Sequence, residues 1–184
     1  MVDEVKFSIV THWISNLGDS RGKTFIPFNL VTVFYSIFNL FFTNKTQSFL
    51  LNNFQAEASA GLFYTFSLLL ILLLLFPVNK NYKVHRVLSN LIFISIIGAL
   101  ILSFLQLSKT AGIPFIVVFF LTLTVVVGLI FFISFVKLQI KYKEIPKTLI
   151  NIREKEKSLL IRNVCLTEWI FFFLIICFQI IASF

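Results

Sequence analysis

Cysteine and histidine are scarce in this chain, with two of each, and the scarcity removes whole classes of chemistry. Cys165 and Cys177 fall on one apolar run; as a helix it sets them about 18 Å apart at 1.5 Å per residue, too far for a bridge. His12 and His85 stand far apart, with no HExxH, no CxxC and no aspartate cluster to complete a metal site, so no metal and no cofactor is expected. Six glycines leave no phosphate-cradling loop, and the serines have no His and acid partners in a hydrolase pattern. Charge is scarce too: only 13% of the 184 residues are charged, whereas 58% are hydrophobic and the mean hydropathy is +0.95. Water is therefore not the main solvent for this protein.

What the sequence has is long apolar runs. About 20 helical residues cross a hydrocarbon core of about 30 Å. Five segments approach or exceed that length, at approximately residues 25–42, 60–78, 87–107, 113–136 and 164–184. The run FYTFSLLLILLLLFPV carries no charge, and in lipid its backbone must be hydrogen-bonded within its own helix. The first run is the shortest and most polar, so a re-entrant or interfacial segment is its alternative. The expected fold is all-α: an integral membrane bundle of five transmembrane helices forming a single domain over 1–184.

The cations orient it. Lys6, Arg21 and Lys23, then Lys80, Lys83 and Arg86, then Lys137, Lys141, Lys143, Lys147, Arg153, Lys155, Lys157 and Arg162 all fall on one side of a five-span chain; Lys45 and Lys109 fall on the other. By the positive-inside rule the N-terminus is cytoplasmic and the C-terminus external. With four spans that asymmetry weakens. A prokaryotic cytoplasmic membrane is the expected location, and with no basic n-region the mature chain is expected to begin at Met1.

Two further segments read as helical. In the arm 1–24, Val5, Ile9, Val10, Trp13, Ile14 and Leu17 share one face of a 3.6-residue period, which lays an amphipathic helix in the headgroup layer with Trp13 as anchor, or packs it on a partner protein. The basic cytoplasmic stretch 137–163 reads as a helical hairpin with mixed charge around Arg153 to Lys157, drawn to anionic lipid headgroups. Its lone Tyr142 gives no stacking platform, so nucleic acid is not a partner. The connection Thr43 to Ser59 reads as an external loop, apolar enough at Phe49 to Phe54 to fold back on the bundle.

Several residues inside the spans are candidates for function. Asn29, Thr32, Ser36 and Asn39 repeat at three, four and three, forming one polar stripe that avoids lipid: it faces the bundle, a neighbouring subunit or water. Glu168 is the ionisable group set within a span, where its charge costs about 3 kcal/mol. His85, Arg86 and Asn90 begin the third span on the same side and are its expected partners. Trp169 next to it reads as an interfacial anchor. Ser95, Gly98, Ala99 and Ser103 on span three, and Thr124 and Gly128 on span four, are small enough to let helix backbones approach. The short connection between spans three and four makes those two the expected tight hairpin.

Three functions compete on these observations. The absence of catalytic groups favours a non-enzymatic accessory, assembly or regulatory subunit that binds a protein partner, or further copies of itself, at the membrane. A small oligomeric channel or transport subunit would line its path with the span-one stripe. An enzyme acting on a lipid-linked substrate would gather Glu168, His85 and Arg86 around a cavity at headgroup level.

Overall fold

The structure, a computed structural model, describes residues 25–49, 54–77, 80–108, 110, 112–141 and 159–183. Among these residues there are five helices and no strand: α1 (Phe25–Phe49), α2 (Phe54–Leu74), α3 (Tyr82–Leu107), α4 (Phe115–Lys141) and α5 (Leu159–Ile181). All five are long and apolar enough to cross a membrane, which marks an integral membrane protein. The amphipathic arm 1–24, with Trp13, and residues 142–158 of the basic stretch lie outside the described residues.

The helices are longer than the apolar runs that announce them. Most of the expected external loop 43–59 is helical, because α1 continues to Phe49 and α2 begins at Phe54. A helix once started gains one backbone hydrogen bond per added residue, so it runs on through polar positions until something stops it. Proline marks three of the helix ends. Pro27 sits in the first turn of α1, where a missing N–H costs nothing, and Pro77 follows α2, whose last turn tightens through Leu75 N–H to Leu72 O (3.1 Å) and Phe76 N–H to Leu73 O (3.1 Å). Pro114 precedes α4 and its carbonyl accepts from Val117 N–H at 3.0 Å. Gly112, at φ +84°, supplies the left-handed residue that reverses the chain between α3 and α4.

The five helices follow one another around the bundle, and α5 returns to α1: Phe42 of α1 meets Phe178 of α5 edge-on at 6.0 Å between ring centres. Aromatic rings fill the centre. Phe93 of α3 packs on Phe131 of α4 at 4.8 Å, and Phe131 stacks on Phe171 of α5 at 6.0 Å. Phe66, Phe131 and Phe171 are fully buried, while Phe34, Phe119 and Phe173 point outward, as hydrocarbon solvent permits.

The small residues pack differently from the expected hairpin. Gly98 of α3 lies under Leu62 of α2, and Gly128 of α4 lies so close to Phe171 of α5 that a methyl group there would come within 2.6 Å of the ring. Ser59 of α2 donates to Ala99 O of α3 (3.0 Å) and shares a hydrogen bond with Ser103 (2.8 Å); Ser95, one turn back on the same face, is buried as well. Thr124 reaches Leu174 O of α5 at 3.4 Å. Thus α3 packs far more closely on α2 than on α4, and α4 packs on α5. A short connection fixes which helices follow each other, whereas close backbone approach goes to whichever neighbour the small face meets.

Candidate functional site

The stripe of α1 turns into the bundle. Ser36 and Asn39 are 0% exposed and Thr32 is buried, whereas Phe34 and Phe41 on the opposite face are 69% and 70% exposed. The stripe members do unequal work. Thr32 donates to Phe28 O at 2.9 Å and Ser36 to Thr32 O at 2.8 Å, so both hydroxyls are engaged by their own helix. Thr43, the next position along the stripe, does the same with Asn39 O at 2.7 Å.

Asn39 is the member that reaches across. Its Nδ2 donates to Ser67 Oγ at 2.6 Å and to Phe63 O at 3.2 Å, both on α2, and its Oδ1 accepts from Gln179 Nε2 of α5. Gln179 in turn accepts at Oε1 from the Tyr35 hydroxyl of α1 at 3.1 Å, and the Ser67 hydroxyl donates to Phe63 O at 3.1 Å. Donors therefore run in one direction, from Tyr35 through Gln179 and Asn39 to Ser67 and the α2 backbone. Three helices are tied by amide and hydroxyl groups with three of the four valences of Asn39 filled. Sequence reading found Asn39 but missed Gln179, Tyr35 and Ser67. The only signal for Gln179 was an amide inside an otherwise apolar run. Asn29, at the start of the stripe, keeps a buried Oδ1 with no hydrogen-bond partner.

Glu168 is 4% exposed and lies about two and a half turns after the start of α5 at Leu159. Trp169 beside it is half-buried. His85 is buried at the start of α3, with Nδ1 2.8 Å from Phe76 O and Nε2 enclosed with no hydrogen-bond partner. The carbonyl can only accept, so Nδ1 is the donor in that bond. No hydrogen bond therefore joins His85 Nε2 to Glu168. Arg86 and Asn90 are half-buried one helical turn apart on α3. Among the described residues no group of three or more His, Cys, Asp or Glu side chains converges on a metal-sized site.

Charge divides between the two ends. Lys80, Lys83, Arg86 and Lys137 lie where α2 meets α3 and where α4 ends. At the other end, among the described residues, Lys45 is the single cation, and it donates to Ser183 O just past α5. That end also holds a cavity of about 320 Å³, lined by Phe42, Phe63, Leu107, Val117 and Phe178, by the small residues Ala56, Ala60, Ser59 and Ser103, and by buried Thr43 and exposed Lys45. Glu168, His85 and Arg86 take no part in it.

No protein-family model, curated protein or solved structure matches this chain.

Proposed function

We propose that the protein is a non-enzymatic membrane subunit that acts as an accessory, assembly or regulatory component and binds a protein partner within the membrane. The observation that carries this reading is the burial of the α1 stripe. Groups that would wall a conduit are covered by α2 and α5 of the same chain, and Asn39 is engaged by both. Burial of Thr32, Ser36 and Asn39 within one chain favours this reading over a ring of subunits closed around the stripe. The outer faces of α1 and α4 are apolar, as Phe34, Phe41, Phe119 and Ile130 illustrate, so a partner helix would meet them by close packing in lipid. Anionic headgroups at the Lys80 and Lys137 end complete the set of partners.

Two measurements test it. Photo-reactive residues placed at Phe34 and Phe41 in native membranes should yield one discrete crosslinked species of defined stoichiometry, and reconstituted vesicles should show no solute or ion flux above empty vesicles. Flux that disappears in Asn39→Leu, or crosslinks to lipid alone at both positions, overturns the reading.

A further inference from the structure

The cavity beside Lys45 lies apart from the Tyr35–Gln179–Asn39–Ser67 network and from His85 and Glu168. We infer that it is a binding site for a single-chain anionic amphiphile, an acyl tail ending in a carboxylate or phosphate group.

Its size is the first reason. A space of about 320 Å³ belongs with small-molecule sites, which run from about 300 to 1,000 Å³ and lie between helices of bundles. The room comes from sequence: Ala56 and Ala60, both 4% exposed, occupy wall positions of α2 where larger side chains would close the space.

Its lining selects the tail. Phe42, Phe63 and Phe178 form an apolar wall, and the hydroxyls of Ser59, Ser103 and Thr43 are already committed within the protein: Ser59 to Ala99 O, Ser103 to Ser59, and Thr43 to Asn39 O. The interior therefore presents hydrocarbon and satisfied hydroxyls, which suits an acyl chain and offers a polar body little in return.

Its rim selects the head. Lys45 is exposed at the mouth, with its ammonium at the Ser183 carbonyl, at the end of the bundle where no other described cation stands. An amphiphile seated with its tail among the phenylalanines brings its anionic oxygens to the lysine. The ion pair forms at the membrane surface, where Coulomb attraction is stronger than in bulk water.

The test uses the full chain in phosphatidylcholine nanodiscs and palmitate carrying a photo-reactive diazirine near the tail terminus. Labelling should be saturable and map to Ala60, Ser103 and their neighbours. Unlabelled palmitate or lysophosphatidate should compete, whichever is stronger naming a carboxylate or a phosphate head, while hexadecanol should compete about tenfold less well, a difference of about 1.4 kcal/mol. Ala60→Phe should remove the labelling. Should that variant fail to fold, Lys45→Met decides alone, because it should weaken the anions to the level of the alcohol and leave the alcohol unchanged. Labelling that is not saturable, that spreads over outward residues such as Phe34 and Phe119, or that ignores Lys45→Met and competes equally with alcohol and acid overturns the assignment.

Discussion

Gln179 of α5 and Asn39 of α1 meet amide to amide inside the bundle, although 140 positions separate them in the chain. Because Gln179 also accepts from Tyr35, replacing it leaves two groups of α1 unpaired in a hydrocarbon interior. Gln179→Leu should destabilise the protein by about 1–2 kcal/mol in detergent unfolding, and Asn39→Leu by a similar amount. The double substitution should cost less than the sum, since it removes both partners together. Strict additivity would mean the two amides do not interact.

Gly128 and Gly98 should tolerate a methyl group unequally. At Gly128 an alanine Cβ would lie 2.6 Å from Cε2 of the buried Phe171 ring, whereas at Gly98 it would lie 3.0 Å from the flexible Cδ1 of Leu62. Gly128→Ala is expected to cost about 1–3 kcal/mol by overpacking, and Gly98→Ala distinctly less. Adding Phe171→Leu to Gly128→Ala should recover part of the loss. Equal melting temperatures for the two single variants would contradict this packing.

The hydroxyls of Ser59 and Ser103 are 2.8 Å apart, which brings their Cβ atoms near the range a disulfide requires. With Cys165 and Cys177 replaced by alanine, Ser59→Cys with Ser103→Cys should form an intrachain bridge under mild oxidation. The pair Ser103→Cys with Thr122→Cys, on α3 and the outer face of α4, should not. The readout is the shift in electrophoretic mobility before and after reduction.

The charge distribution predicts a sidedness that labelling can check. In the same cysteine-free background, Asn44→Cys should react with a membrane-impermeant maleimide in intact cells, and Lys80→Cys only after the membrane is opened. The reverse pattern would invert the protein in the bilayer.

The membrane-spanning helices were legible in the sequence because each is an apolar run, and the period of Ser36 and Asn39 excluded a lipid-facing surface, although it left the bundle, a neighbouring subunit and water as alternatives. Helix ends were less legible. Hydropathy ends near Phe42 and resumes near Ala60, whereas backbone hydrogen bonding carries α1 to Phe49 and starts α2 at Phe54. Gln179 escaped notice because a lone amide has no period and its partner lies at the far end of the chain. The faces of Gly98 and Gly128 were visible, but spacing names a face and not the neighbour it meets, so the α2–α3 and α4–α5 contacts could not be read from it.

The return of α5 to α1 sets an order of events during synthesis. A ribosome delivers α1 first, and its Asn39 enters the bilayer long before Gln179 has been made. Until the last helix arrives, that amide has only α2 to answer it, and Phe171 is not yet present to settle over Gly128. Truncation before α5 should therefore leave an N-terminal fragment that the insertion machinery must shelter, and quality-control proteases should remove it rapidly when shelter fails.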